Sequence, residues 1–266
     1  MSKVLAIANQ KGGVGKTTTN INLACGLANL GKKILTIDID PQGNTTSGLG
    51  IDKENQNLIS IYDVLINGAD IRKAIIKTQV ENLDIVTSNL QLAGAEVELV
   101  LMDFREFRLR DAIESIRDEY DYIFIDCPPS LGLITINAFT AADGVLVPIQ
   151  CEYFALEGLT QLLGTIQRVK KTSNPKLELE GVILTMFNAR TNLSIQVVEE
   201  VKKHFKSKLF TTIIPRNVRL GEAPSHGLPI HLYDPKCVGA VAYAELAEEF
   251  LEREREEGIS EEKRFR

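Results

Sequence analysis

The chain has 266 residues, of which 44% are hydrophobic and 25% are charged, and its formal net charge is −6. That composition is typical of one soluble globular domain, which we expect over residues 1–250, and no run of about 18 apolar residues could span a membrane. Four cysteines without a C-x-x-C pair and three histidines without zinc-like spacing predict a reduced, cytoplasmic chain that has no zinc site.

The first informative segment is residues 10–18, Q-K-G-G-V-G-K-T-T, which joins an apolar strand-like run to a helical pattern. Small residues leave the N–H groups of such a loop free to wrap a phosphate chain, and the helix N-terminus adds unpaired donors. We therefore expect Lys16 to reach the β- and γ-phosphates of a nucleotide and the Thr17 hydroxyl to bind Mg²⁺. The loop residues expected to hold the nucleotide are Lys11, Gly12, Gly13, Val14, Gly15, Lys16, Thr17 and Thr18.

Two further apolar runs end in acidic residues, at Asp38 and Asp40 and at Asp126. In open α/β sheets, ligands lie beyond the carboxyl ends of the parallel strands, so these acids should face the phosphate site. Asp126 follows four apolar residues and is the expected ligand of Mg²⁺, directly or through water, and Asp40 is expected to orient the attacking water. Asp38 either caps the next helix or shares the site.

β-Strands are predicted near residues 3–9, 33–39, 83–87, 121–126, 145–149, 180–185 and 210–214. Helical patterns lie between most of them. This alternation favours an α/β fold with a doubly wound, mostly parallel sheet and helices on both faces. The last segment, residues 251–266, is dense in Glu, Arg and Lys, and we expect it to be a charged tail that frays into disorder.

Charge is spread unevenly along the chain. Residues 168–237 hold 12 Lys and Arg against 6 Asp and Glu, whereas the remainder holds 18 against 30. Segregation on this scale predicts a basic face suited to nucleic acid. Within it, Lys202, Lys203 and Lys206 lie on a predicted helix. A solvated helix face is the alternative for these lysines, and the pattern alone does not decide between the two.

The loop departs from G-x-x-x-x-G-K-[ST] because Gln10 replaces the first glycine and Lys11 adds a second lysine. This form resembles the deviant Walker A motif of the ParA/MinD group of P-loop ATPases. Further strings look like the chromosomal ParA proteins called Soj, and the resemblance runs almost end to end. They are D-I-D-P-Q-G-N at 38–44, Q-L-A-G-A-E at 91–96, D-C-P-P-S-L-G-L at 126–133 and I-P-R-N-V-R-L at 214–220.

The resemblance implies an ATP-dependent switch that works in chromosome or plasmid partitioning. Such a protein forms a homodimer around ATP and Mg²⁺ and binds DNA nonspecifically on the nucleoid. A ParB-like partner then stimulates its slow ATP hydrolysis and releases it. By the same resemblance, Lys11 would cross the dimer interface to the partner's nucleotide, and Lys11, Lys16 and Asp40 would be the catalytic residues.

Other site residues are implied by the resemblance alone. Pro215, Arg216 and Asn217 would contribute to the adenine pocket, and Arg190 and Arg219 would form a DNA-binding surface across the dimer. One departure concerns position 188, where this chain has Asn188 and Soj proteins usually have aspartate. Any contact made from that position is therefore an open question.

Three rival classes share the scaffold. A membrane-cycling ATPase like MinD is the main alternative, but it would need a C-terminal amphipathic helix, and residues 252–257, E-R-E-R-E-E, offer no apolar face. An iron–sulfur carrier would need paired cysteines, which the spacing does not give. A small-molecule ligase would need an acceptor pocket, and the sequence leaves that alternative open.

Overall fold

The computed structural model describes residues 2–152 and 157–264. Within them, seven strands form one sheet: β1 (Lys3–Ile7), β2 (Ile34–Asp38), β3 (Ile75–Lys77), β4 (Leu83–Val86), β5 (Tyr122–Asp126), β6 (Gly144–Gln150) and β7 (Glu178–Thr185). Their hydrogen-bonded order is β3-β4-β2-β5-β1-β6-β7. All neighbouring pairs are parallel except β3 and β4, so that the carboxyl ends of six strands meet at one edge.

Helices surround this sheet. They are α1 (Lys16–Asn29), α2 (Asn44–Gly48), α3 (Ile61–Leu65), α4 (Ile71–Ala74), α5 (Leu92–Val100), α6 (Arg108–Glu114), α7 (Leu133–Ala141), α8 (Glu157–Thr172), α9 (Asn192–Phe205), α10 (Val218–Glu222), α11 (Ile230–Tyr233) and α12 (Val238–Arg264). Alternate residues of β1 enter two separate cores: Val4 packs with α3, α5, α6 and α7 on one face, whereas Leu5 packs with α1 and α12 on the other. The predicted doubly wound α/β fold is confirmed.

The strands differ from the prediction in two places. Residues 210–214 make hydrogen bonds beside β7 but form no strand, because the N–H groups of Thr211 and Thr212 donate instead to the carboxylate of Glu249, at 2.7 and 2.8 Å. The sequence analysis also missed β3, which has three residues, follows α4 directly and pairs antiparallel at the edge of the sheet.

Helix α12 continues through residue 250 to Arg264, so residues 251–264 of the expected charged tail are helical, and residues 265–266 lie outside the described part of the chain. Fraying of this tail stays a prediction. Long-range contacts hold the helix beyond Phe250. The guanidinium of Arg253 lies 4.2 Å from the centre of the Phe210 ring and pairs with Glu249 at 2.7 Å. Among the described helices, none is both long and apolar enough to cross a bilayer.

Candidate functional site

The glycine-rich loop lies between the end of β1 and the start of α1. Gly13 and Gly15 have φ angles of +73° and +88°, which L side chains rarely adopt, so the loop depends on glycine at both positions. Gly15 immediately precedes α1, and the first turn of this helix contains no acidic residue. The helix therefore presents free N–H donors and the positive end of its dipole to the loop, which suits an anion.

Two polar residues that the sequence analysis did not single out anchor this loop. The Asn9 side chain accepts a hydrogen bond from the N–H of Lys11 at 3.0 Å and donates one to the carbonyl of Pro148 at 2.8 Å. On the other side, the Thr185 hydroxyl donates to the carbonyl of Val14 at 2.8 Å. Asn9 follows β1 and Thr185 ends β7. A polar residue at the end of an apolar strand was therefore the sequence signal that could have identified both as site residues.

Lys16 is almost fully buried, with 7% of its surface exposed, and its Nζ donates to the carbonyl of Lys11 at 3.2 Å. Burial lowers the pKa of Lys16, while the nearby charges of Asp126 and Asp40 act in the opposite direction. The Lys11 carbonyl thus holds the ammonium in the loop, the charges of the two carboxylates favour its protonated form, and an incoming anion would give it a direct ionic partner.

Asp126 is fully buried at the end of β5. Its Oδ2 accepts hydrogen bonds from the hydroxyls of Thr17 and Thr45, both at 2.8 Å, and its Oδ1 has no hydrogen-bond partner among the described residues. Burial, the largest cause, raises the pKa of Asp126 to about 6, against the lowering effect of the two threonines. A buried carboxylate oxygen without a partner, next to two hydroxyls, fits a hard cation such as Mg²⁺. Thr45 is a contact that the sequence analysis missed.

The two acids of the D-I-D segment differ in role. Asp38 is fully buried and accepts hydrogen bonds from the N–H and the hydroxyl of Thr46, at 2.8 and 2.7 Å, which fixes the first turn of α2. Burial and the charge of Asp126 raise the pKa of Asp38 to about 7. Of the two alternatives for Asp38, the geometry supports the helix-capping one. Asp40 is 8% exposed, and its Oδ1 accepts the N–H of Gln42 at 2.9 Å.

Helix α2 also contacts the turn after α10. Gly50 and Gly227 both have positive φ angles, +82° and +65°, and a Cβ built on Gly227 would lie only 2.7 Å from the Cα of Gly50. The Gln79 amide donates to the carbonyl of Gly227 at 2.6 Å on the same side. The turn after α2 and the segment after α10 are therefore packed backbone against backbone.

Glu152 joins Lys11 to the predicted adenine segment. Its carboxylate lies 3.8 Å from the Nζ of Lys11, accepts a hydrogen bond from Arg216 at 3.1 Å and accepts one from Gln150 at 2.6 Å. Through Glu152, Arg216 thus lies near the front of the loop. Asn217 uses its side-chain oxygen to accept the N–H of Arg219 at 2.7 Å and so caps α10. Its predicted nucleotide contact, like those of Pro215 and Arg216, stays a prediction.

The arginines predicted to bind DNA are exposed. Arg219 lies on α10, two residues after the 215–217 segment, and pairs with Glu222 at 2.8 Å and Asp234 at 3.5 Å. The N–H of Arg190 donates to the side-chain oxygen of Asn188 at 3.1 Å, a turn contact that an aspartate would also make.

The predicted lysines lie on and after α9, and two of them have acidic partners. Lys202 pairs with Glu199 at 3.6 Å and Lys203 pairs with Glu200 at 3.1 Å, each one turn back on the same helix. Lys206 is exposed at the end of α9. The pairing favours a solvated helix face for Lys202 and Lys203.

A glycine loop at a helix N-terminus, on a mostly parallel sheet and beside a buried lysine and aspartate, defines the P-loop class of ATPases. A family model described as an AAA domain matches residues 2–179. The sporulation initiation inhibitor protein Soj of Bacillus subtilis is 60% identical over 94% of this chain and 98% of its own. The chromosome partitioning protein ParA of Caulobacter vibrioides is 54% identical over 96% of each.

Among solved structures, cobyrinic acid a,c-diamide synthase of Mycobacterium smegmatis with bound ADP and magnesium has a TM-score of 0.82 and 37% identity, over 93% of each chain. The chain belongs to the ParA/MinD superfamily of deviant Walker A ATPases, in its chromosomal ParA (Soj) branch.

Proposed function

We propose that this protein is a dimeric switch ATPase of chromosome or plasmid partitioning, which uses ATP and Mg²⁺. The observation that carries this proposal is the convergence at the glycine loop of Lys16, Thr17 and the Oδ1 of Asp126, which has no hydrogen-bond partner in the described part of the chain. Relatives that cover nearly the whole chain are named for chromosome partitioning, and a similar structure holds ADP and magnesium. In this proposal the ATP-bound dimer binds DNA nonspecifically, and a ParB-like partner releases it.

The chain's own groups divide the work of hydrolysis. Loop N–H groups and Lys16 bind the β- and γ-phosphates, and Lys16 also stabilises the negative charge that grows during transfer. Thr17 and Asp126 would hold Mg²⁺, which when bound neutralises further phosphate charge. Asp40 orients the attacking water from the end of the D-I-D segment and, because it is not needed to bind the phosphates, separates turnover from binding.

Lys11 is proposed to act across the homodimer. It lies at the front of the loop, and its contact with Glu152 is long and solvent-exposed. Exposed ion pairs contribute roughly 1 kcal/mol or less, so a triphosphate on a second copy of the chain can displace Glu152. Lys11 then adds a second positive charge to the partner's γ-phosphate, which makes the dimer depend on ATP rather than ADP.

DNA binding is proposed for the exposed arginines, Arg190 and Arg219, with a smaller contribution from Lys202, Lys203 and Lys206. Contacts of this kind bind phosphates without reading sequence. Dimerisation doubles every contact, so affinity should be high only in the ATP state. The protein would then work in the cytoplasm in association with the nucleoid.

Co-sedimentation with DNA and with anionic liposomes, each with and without ATP, tests this function against its alternatives. The proposal predicts pelleting with DNA only in ATP. Pelleting with liposomes in ATP would instead support a MinD-like membrane cycle. ATP hydrolysis without binding to either would point to a small-molecule ligase, although the synthase, at 37% identity, is less similar to this chain than Soj, at 60%.

A further inference from the structure

A buried asparagine on α1 lies behind the proposed magnesium site. Asn20 comes three residues after Thr17 and is fully buried. Its Nδ2 donates hydrogen bonds to the hydroxyls of Thr36 on β2, at 2.7 Å, and of Thr45 on α2, at 3.1 Å. Both threonines are fully buried as well. One amide group therefore joins α1, β2 and α2 away from bulk solvent.

The hydrogen bonds at Thr45 run in one direction. An ionised carboxylate only accepts hydrogen bonds, so the single proton of the Thr45 hydroxyl goes to the Oδ2 of Asp126, at 2.8 Å. The Thr45 oxygen then acts as an acceptor, and the NH₂ group of Asn20 is the donor that reaches it. Donation to a hydroxyl oxygen makes that hydroxyl a stronger donor in turn. Asn20 therefore strengthens the bond that Thr45 makes to Asp126.

Fold stability does not account for an asparagine at this position. The Oδ1 of Asn20 is buried and has no hydrogen-bond partner anywhere in the part of the chain that the structure describes, which costs free energy. Asn22, two residues further along α1, is satisfied at both ends. Its Nδ2 donates to the carbonyl of Thr18 and its Oδ1 accepts the N–H of Ile230, both at 2.8 Å. Asn22 thus has the contacts of a structural residue, whereas the half-satisfied amide of Asn20 beside the cation site indicates a functional role.

The orientation of the Asp126 carboxylate is what this chain of hydrogen bonds can fix. Two hydroxyls, those of Thr17 and Thr45, donate to its Oδ2, so the carboxylate cannot exchange its two oxygens without breaking both bonds. Its Oδ1 is thereby left for a cation or for water bound to the cation. Without Asn20, the Thr45 hydroxyl could turn toward a backbone carbonyl of the preceding turn, and one of the two bonds would be lost. Partners that orient a metal ligand contribute to the affinity for the metal.

We propose that Asn20 is a positioning residue for the magnesium site and acts through Thr45 on Asp126. This inference rests on the proposed function, because it assumes that Asp126 holds Mg²⁺. It goes beyond that function by giving α1, which already supplies Thr17, a second contribution to the site. The contribution comes from a side chain that does not itself bind the cation.

The test measures how strongly Mg²⁺ supports the binding of a fluorescent ADP to the full-length protein. ADP is suitable because it is not hydrolysed and, in the proposed function, does not assemble the dimer. Asn20→Leu removes the donor and fills nearly the same space, so the Mg²⁺ concentration that gives half-maximal binding should rise about tenfold. Affinity for ADP in excess EDTA should stay within about twofold of the wild type, because the phosphate loop itself is unchanged.

A double-mutant cycle shows whether Asn20 acts through Thr45. Thr45→Val should raise the Mg²⁺ requirement about tenfold or more, and the addition of Asn20→Leu should raise it no further. Thr45→Ser keeps the hydroxyl and should keep the wild-type requirement. Asn22→Leu is the matched control: it breaks two satisfied hydrogen bonds, so the melting temperature should fall while the Mg²⁺ requirement does not change.

The possible results separate this inference from the proposed function. An unchanged Mg²⁺ requirement of Asn20→Leu, or additive effects in the double variant, would overturn the inference and leave the proposed function intact. So would an equal loss of affinity in EDTA, because Asn20 would then support the loop rather than the cation site. If Asn20→Leu does not fold, Asn20→Ala gives the same test with a smaller side chain. Wild-type binding of ADP that does not depend on Mg²⁺ would overturn both.

Discussion

The phosphate loop and the basic region around α9 and α10 are built in contrasting ways. In the loop, Lys16 and Asp126 are buried and hydrogen-bonded, and Asn9 and Thr185 anchor the backbone from two strands. In the basic region the charged side chains are exposed and several pair with acids one turn away. Removal of one buried group from a set that acts together should abolish nucleotide binding or turnover as a whole. Each exposed charge, in contrast, should contribute a small and additive amount to the affinity for DNA.

The largest effect is expected for Lys16→Ala. This change removes a buried positive charge from the centre of the loop, and Thr17 cannot replace it. We expect affinity for MgATP to fall by about 10³-fold or beyond detection in isothermal titration calorimetry. Lys77→Ala, at an exposed position of β3, is the matched control. Near-native affinity of Lys16→Ala would show that the loop does not bind phosphate as proposed.

Asp40→Ala should separate binding from turnover. The loop binds the phosphates without Asp40, so the variant should bind ATP and form the dimer, while hydrolysis falls about 10²-fold because water is no longer oriented. Phosphate release and size-exclusion chromatography in ATP measure the two properties. Lys11→Ala should show the opposite result, a monomer that still binds ATP. If Asp40→Ala stays monomeric or hydrolyses ATP at the parental rate, Asp40 has a structural role instead.

Smaller and graded effects are expected in the basic region. Arg190→Glu and Arg219→Glu should each weaken binding of the ATP dimer to any DNA sequence by about tenfold, and ATP affinity should not change. Lys203→Glu should have a smaller effect, since the family resemblance assigns the DNA-binding surface to the two arginines, whereas Lys203 pairs with Glu200 on a solvated helix face. Filter binding at several salt concentrations measures this, with an expected log–log slope of about −4 to −7 for the dimer. Preference for one operator would contradict the model.

The smallest effect concerns the support of the loop. Thr185→Val removes the hydroxyl that donates to the carbonyl of Val14 and leaves that buried carbonyl without a donor. We expect the free energy of unfolding to fall by about 1–2 kcal/mol. ATP affinity should fall only a few-fold, because the variant keeps every group that contacts the phosphates and loses only one hydrogen bond that supports the loop. Thermal melting with and without MgATP measures both, and Thr172→Val, an exposed threonine on α8, is the control.

The sequence was informative where the deciding interactions are local. The loop, its two flanking elements and the strand-end acids Asp40 and Asp126 follow from short patterns. Features fixed by distant residues were not predictable in this way. The N–H groups of residues 211–212 donate to the carboxylate of Glu249, which lies 37 or more positions away in the sequence. Those N–H groups are therefore not available for sheet pairing, and the strand that the apolar pattern indicates does not form. Likewise, the Phe210 ring supports Arg253 and the continued helix where composition indicates a frayed tail.

The candidate-site residues that the sequence analysis missed are also those whose contacts are made by residues far apart in the sequence. Thr45 contacts Asp126 across 81 positions, and Thr185 contacts Val14 across 171, so neither pairing leaves a pattern in a single sequence. Glu152 is similar, because its link between Lys11 and Arg216 exists only once the ends of β1 and β6 meet the segment after residue 214. Resemblance to a family can supply such residues, whereas periodicity and spacing cannot.

The close approach of Gly50 and Gly227 has a thermodynamic consequence. On one side of this contact lies α2, whose Thr45 holds Asp126, and on the other lies the segment that includes Arg219. If the contact couples the two sites, the coupling free energy must be the same in both directions. DNA should then raise the affinity for ATP by the same factor by which ATP raises the affinity for DNA, so the nucleoid itself would favour the ATP-bound state of the protein.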